Sequence, residues 1–123
     1  MNDKINKISV VMTSYNGEKY IREQLDSIIT NITENDELII GDDGSTDNTI
    51  SIIDEYLDKF PHIKLVKSQK LGTTNNLERL ISMTNGDIIF IADQDDVWDT
   101  DKLYIAVQSL KSVNRGIPAL YYC

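Results

Sequence analysis

An α/β domain, with a mostly parallel sheet covered by helices on both faces, is the architecture this sequence predicts. Three observations point there. Short apolar runs alternate with segments of helical period along the chain, which is the pattern of successive βα units. The apolar runs are near-continuous, as strands buried from both sides are. With 123 residues, 41% hydrophobic and 26% charged, the chain can build one core of ordinary globular character.

The elements follow in order. "ISVVM" reads as the first strand, and "EKYIREQLDSIITNI" brings Ile21, Leu25, Ile28 and Ile32 to one helical face. "ELII" is the second strand. The turn-rich "GDDGSTD" leaves it, with Ser45 or Thr46 expected to cap the next helix. That helix turns Ile50, Ile53, Leu57 and Phe60 inward and stops before Pro61, since the residue preceding a proline is pushed out of helical geometry. "IKLV" makes a third strand. "TTNNLERLISMT" gives a shorter helix carrying Leu77, Leu80 and Ile81, closed by Gly86. "DIIFIA" is the fourth strand. A helix from about residue 100 to 113 turns Leu103, Val107 and Leu110 inward, and "ALYY" begins a fifth strand.

Composition removes several classes of function. A formal net charge of -8 disfavours nucleic acid as a partner, because phosphate backbones attract basic surfaces. The only cysteine is Cys123, so no internal disulfide forms, which fits a reducing compartment. The N-terminal apolar run is too short for a signal peptide or a transmembrane segment. The expected location is cytoplasmic, with peripheral association at the inner face of a membrane left open. Neither G-x-G-x-x-G nor G-x-x-x-x-G-K-[ST] occurs, which disfavours a Rossmann dehydrogenase and a P-loop NTPase. An EF-hand starting at Asp93 fails, with Trp98 at the glycine position and Tyr104 at the terminal glutamate position. No Ser-His-Asp arrangement is evident, and His62 after Pro61 reads as an exposed turn residue.

Ligands of parallel α/β sheets bind beyond the carboxyl ends of the strands, above all where the strand order reverses. The loops of interest are therefore "TSYNG", "GDDGSTD" and "ADQDDVW", which all leave strands at that rim. In the last, Asp93 and Asp95 are two apart and share a side if the chain stays extended. Two such carboxylates suit a hard cation, Mg²⁺ or Mn²⁺, which can also offset the charge of an anionic ligand. The plainer alternative is a solvated acidic loop capping a helix, and Asp99 and Asp101 fit that use. Asp42 and Asp43 form a second acidic pair, able to accept hydrogen bonds from ribose hydroxyls or a base N–H, or simply to shape a turn. The ring of Tyr15, beside Thr13, could stack on a base or pack half-buried. Trp98 more readily anchors its loop in the core than walls a site.

Together "ISVVMTSYNGEKYIREQLDSI", "ELIIGDDGSTDNT" and "GDIIFIADQDDVWDTDKL" resemble the N-terminal half of family 2 glycosyltransferases with the GT-A, Rossmann-like fold, from about Lys7 onward. "DQDDVW" is most similar to bacterial rhamnosyltransferase-type members that build surface polysaccharides. The resemblance implies transfer of a sugar from a UDP-, dTDP- or GDP-linked donor to a carbohydrate or lipid-linked acceptor hydroxyl, with inversion and a divalent metal. It implies that Thr13 and Tyr15 line a nucleobase pocket and that Asp43, helped by Asp42, contacts base or ribose. Asp93 would lie near the donor sugar or ribose. Asp95 would bind the metal and diphosphate, with Asp96 replacing or assisting it, and Asn76 would be a further donor contact.

In the family the catalytic base is an Asp or Glu of a later segment. Residues 1–123 therefore read as the nucleotide-sugar-binding part of the domain, truncated before the acceptor half and of little activity alone, and no residue present is assigned as the base. Two other functions compete. A nucleotidyltransferase would want a basic glycine-rich loop near its first strand, where "TSYNGEKY" supplies only Lys19. A non-catalytic nucleotide-binding or receiver-like module is the other, and a receiver would need its acidic residues after strand one.

Overall fold

The computed structural model describes residues 7–92, Trp98, Lys102, Ile105 and Ala106, and the backbone of residues 119–122. The elements are β1 (Ile8–Ser14), α1 (Ile21–Asn31), β2 (Glu37–Asp42), α2 (Thr49–Lys59), β3 (Ile63–Lys67), α3 (Thr73–Ser82), β4 (Ile88–Ala92) and β5 (Ala119–Tyr122). Lys102, Ile105 and Ala106 are helical. The inward positions expected of that last helix, Leu103, Val107 and Leu110, lie outside the described residues. The strands form one sheet in the order β3-β2-β1-β4-β5, and every neighbouring pair is parallel. The chain thus starts in the middle, builds outward through β2 and β3, and returns to β4 on the other side of β1. The order reverses beside β1.

The pleat sorts the strand residues between two faces. Val10, Met12, Leu38, Ile40, Ile88 and Phe90 pack with Ile21, Leu25 and Ile28 of α1 and Ile53 and Tyr56 of α2. Val11, Ile39 and Ile91 turn the other way, toward Leu80 of α3, with Leu77 and Ile81 partly buried beside it. Central residues of β1 and β2 are fully buried on both faces. That is why these runs lack a hydrophobic alternation.

The amino end of the sheet is closed by carboxylates used internally. Glu37 Oε2 accepts from Ser9 Oγ at 2.6 Å and from the Asn85 N–H at 2.7 Å, while Lys7 and Lys64 each bring Nζ to 3.8 Å of Oε1. Asp36 accepts from the Ile8 and Thr33 N–H groups. His62, expected in an exposed turn, is instead half-buried there with its ring edge-on to Phe60.

Five boundaries differ from the sequence expectation. β1 and β2 run two residues further than their apolar cores, since Thr13 and Ser14 pair with Gly41 and Asp42. The strands therefore end in polar residues. Helix α1 starts at Ile21, because the Gly17 carbonyl accepts from both Tyr20 and Ile21 and closes a turn first. Ser45 and Thr46 do not cap α2. Asn48 holds the cap position, and Asp47 accepts from both the N–H and the hydroxyl of Thr49. Helix α3 ends at Ser82, two residues before the expected Thr84; Gly86 follows its end, as expected, but the C-cap is Met83 and not the glycine.

Gly86 is instead required by β1. A Cβ there would stand 2.6 Å from the Ser9 nitrogen and 3.0 Å from the Ile8 carbonyl carbon, backbone atoms held in the sheet centre. Gly86→Ala is expected to destabilise the fold by about 1–3 kcal/mol, the usual range for forced overpacking. Urea unfolding checks this; a midpoint equal to that of the parent would show that the turn can slide away from β1.

Candidate functional site

The loops leaving β1, β2 and β3 are tied to one another at the carboxyl rim. Asn16 sits at φ 48°, a left-handed conformation asparagine tolerates. It donates its N–H to Ser45 Oγ at 2.8 Å, and its side-chain oxygen accepts from the Thr46 N–H at 2.8 Å. The Gly17 N–H donates to the Thr49 hydroxyl at 2.9 Å. The β1 and β2 loops are thereby pinned together before any ligand arrives.

Asp42 and Asp43 have different places despite adjacency. Asp42 is the last residue of β2, its side chain fully buried on the α1 face. Its Oδ1 accepts from Ser14 Oγ at 2.7 Å and Ser45 Oγ at 2.6 Å. Its Oδ2 accepts from the N–H groups of Ser45 at 2.8 Å and Gly44 at 3.1 Å. This carboxylate, expected to help Asp43, is thus committed to four donors inside the fold. Asp43, the next residue along, projects to the α3 side. There its Oδ1 accepts from the Leu71 N–H at 2.8 Å and Ser68 Oγ at 2.9 Å, and its Oδ2 from the Gly72 N–H at 3.0 Å. The Leu71 and Gly72 N–H groups hold its carboxyl below the usual carboxylate range, against a smaller opposing effect of desolvation.

A cleft of about 250 Å³ opens above this arrangement, lined by Thr13, Ser14, Tyr15, Asp43, Lys70, Gly72, Thr73 and Asn76. Four of the expected site residues, Thr13, Tyr15, Asp43 and Asn76, line it from β1 with its loop, the β2 loop and α3. Tyr15 is 54% exposed. Asn76 is fully buried, donating to the Gly41 carbonyl at 2.9 Å and accepting from the Arg79 guanidinium at 3.2 Å. It fixes α3 to the end of β2 while forming part of the floor. Ser14, Lys70, Gly72 and Thr73 were not anticipated. The signal for the Lys70–Gly72 turn was the glycine of "KLGTT": Lys70 and Gly72 have φ of 53° and 90°.

The third loop departs at Ala92, which pairs with Met12 immediately before Thr13. Asp93, Asp95 and Asp96 lie outside the described residues, as do Asp99 and Asp101. Among the described residues no group of three or more His, Cys, Asp or Glu could hold a metal. Trp98 behaves as the expected anchor. It is 4% exposed, its ring meets Phe90 edge-on at 6.3 Å between centroids, and its backbone N–H donates to Ser27 Oγ of α1 at 2.9 Å. No helix among the described residues is long and apolar enough to cross a membrane.

Comparison with known proteins places this geometry. The profile of "Glycosyl transferase family 2" matches residues 9–119. The chain is 41% identical over 105 residues to the dTDP-rhamnosyl transferase RfbG of Shigella flexneri, covering 80% of this chain and 36% of that protein. It is 33% identical over 96 residues to the uncharacterized glycosyltransferase YibD of Escherichia coli, covering 78% of this chain and 28% of that one. Among solved structures, S. aureus TarS 1-349 in complex with UDP-GlcNAc superposes with a TM-score of 0.77 at 27% identity, over 86% of this chain and 31% of that one. The mannosyltransferase PcManGT of Pyrobaculum calidifontis, in complex with GDP-Man and Mn²⁺, gives 0.77 at 28% identity, over 84% and 32%. This chain thus spans about a third of the length of the relatives it matches.

Proposed function

This chain belongs to glycosyl transferase family 2, and on that footing we propose that its rim cleft binds the nucleoside end of a nucleotide diphosphate sugar. The observation that carries the reading is the meeting of Thr13, Tyr15, Asp43 and Asn76 in one cleft beside the strand-order reversal. At about 250 Å³ the cleft is a little below the range of whole small-molecule sites, roughly 300–1,000 Å³. That size suits a base and ribose, with diphosphate and sugar continuing along the rim toward the end of β4. The exposed Tyr15 ring offers a stacking face. The Asp43 carboxylate keeps acceptor capacity for a base N–H or a ribose hydroxyl beyond its three protein donors.

Asp93, directly after β4, is proposed to contact donor sugar or ribose. Asp95 and Asp96 would hold a divalent cation, since carboxylate oxygens suit Mg²⁺ or Mn²⁺. When bound, such an ion neutralises negative charge on the diphosphate. Residues 1–123 are read as the nucleotide-sugar-binding part of a domain that transfers the sugar, with inversion, to a carbohydrate or lipid-linked hydroxyl. The likeness to a dTDP-rhamnosyl transferase makes dTDP-rhamnose the first donor to try.

Calorimetric titration with UDP, dTDP and GDP, each with and without Mn²⁺, tests the reading. A nucleoside diphosphate that binds more tightly with Mn²⁺ supports it. Absence of binding by all three under both conditions rejects it.

A further inference from the structure

The buried carboxylate of Asp42 is placed to work on the cleft without touching what the cleft holds. It collects four hydrogen bonds from groups on either side of Asp43. One comes from Ser14 at the end of β1, and the others from Gly44 N–H, Ser45 N–H and Ser45 Oγ just past Asp43. Asp43 is thus the apex of a turn whose two feet share one anchor. Gly44, at φ 97°, supplies the left-handed step the turn needs. The Asp43 N–H donates to the Ser14 carbonyl at 3.0 Å, and the Asp42 carbonyl accepts from the Ser68 N–H at 2.8 Å. The Asp43 carboxylate then grips Leu71 and Gly72 in the cleft wall.

We infer that Asp42 is a positioning residue for the nucleotide site, acting through Asp43 on the Lys70–Gly72 wall. The inference rests on the reading of the cleft as a nucleotide site, and it predicts an unusual substitution pattern. Asparagine can replace this carboxylate. Its carbonyl oxygen can accept from the Gly44 and Ser45 N–H groups, while its NH₂ donates to the Ser14 and Ser45 hydroxyls, which can turn to accept. Alanine can do neither and leaves two N–H groups without an acceptor. A carboxylate that met the ligand by its charge would be lost equally in both variants.

The experiment compares Asp42→Asn and Asp42→Ala in the full chain by amide hydrogen exchange, then by nucleoside diphosphate titration with Mn²⁺. In Asp42→Ala, exchange at Leu71 and Gly72 is expected to rise about tenfold, the effect of losing one ordinary hydrogen bond. Ile53, buried in α2, should exchange as in the parent, which separates a local effect from general loosening. Asp42→Asn should keep both amides protected and nucleotide affinity within about twofold, against a loss of about tenfold or more in Asp42→Ala. If Asp42→Ala does not fold, Ser14→Ala removes one of the four bonds and should speed the same two amides more weakly. Unchanged exchange at Leu71 and Gly72 in the alanine variants overturns the inference, and so does an asparagine variant as impaired as alanine. A parent chain that binds no nucleotide would reject the site reading, while exchange would still decide whether Asp42 positions Asp43.

Discussion

Asp43→Ala is expected to lower nucleoside diphosphate affinity by about a hundredfold, since it removes a charged acceptor and releases the wall beside it. The two losses are linked. Ser68, Leu71 and Gly72 all donate to this carboxylate. Without it, two N–H groups lose their acceptor, and Lys70, held in a left-handed conformation, loses the support of its neighbours. The same carboxylate gives affinity a pH dependence with a definite sign. Its folded value is depressed by the Leu71 and Gly72 N–H groups, so its contribution to stability is fully present above the unfolded value, about 3.9, and is lost as pH falls through the lower folded value. Affinity attributable to Asp43 should therefore be flat from neutral pH down to about 5 and decline only below about 4. Asp43→Asn should lack that decline. An Asp43→Ala chain that binds within twofold of the parent would remove the residue from the site.

The pair Asp42–Asp43 shows what a sequence conceals. The strand-end motif "GDDGSTD" was legible as a site loop because carboxylates and glycines follow an apolar run. Which carboxylate lines the cleft depends on where the strand stops, and propensity places that boundary poorly. Ser14, Gly41 and Asp42 are weak strand formers, yet they pair in register at the rim, Gly41 with Thr13 and Asp42 with Ser14. Once β2 includes Asp42, the alternation of the pleat sends its side chain into the α1 face and leaves Asp43 to the cleft. Asn76 was singled out only through the family resemblance, and its anchoring bond to the Gly41 carbonyl is set by tertiary contact alone. Gly86 illustrates the same limit. The glycine was evident, while its reason, the passage of β1 within van der Waals range, lies 77 residues away in sequence.

The fold class was easier because it follows from period and order. Near-continuous apolar strands separated by amphipathic helices admit few arrangements other than a parallel sheet with two covered faces. Even the fifth strand, read from "ALYY" alone, pairs in parallel with β4. Nothing in the sequence announced the strand order. Order decides where the site forms: β1 is flanked by β2 and β4, so the loops after β1 and β4 leave the sheet at neighbouring positions on the switch.

Trp98→Ala should cost about 3–5 kcal/mol of folding stability, the common range for deleting a buried aromatic ring. Measured against typical native stabilities of about 5–15 kcal/mol, that is a large fraction. The ring is 4% exposed and meets Phe90 edge-on, a geometry worth roughly 0.5–1.5 kcal/mol beyond its burial. Its position in the chain makes the loss functional as well. The segment carrying Asp93, Asp95 and Asp96 runs between Ala92, 2% exposed in β4, and Trp98, whose ring packs on Phe90; the Trp98 backbone N–H, held by Ser27 of α1, survives the substitution. If that segment holds the divalent cation proposed for it, loss of the ring leaves cation binding to offset more of the cost of ordering it, about 1–2 kcal/mol for each residue fixed. Trp98→Phe keeps an aromatic edge against Phe90 and should retain most of both properties. Denaturant unfolding measures the first. The second is the ratio of nucleotide affinities with and without Mn²⁺, which should fall toward one in Trp98→Ala and stay near the parent value in Trp98→Phe. An alanine variant as stable as the parent, with an unchanged ratio, would remove the ring from both roles.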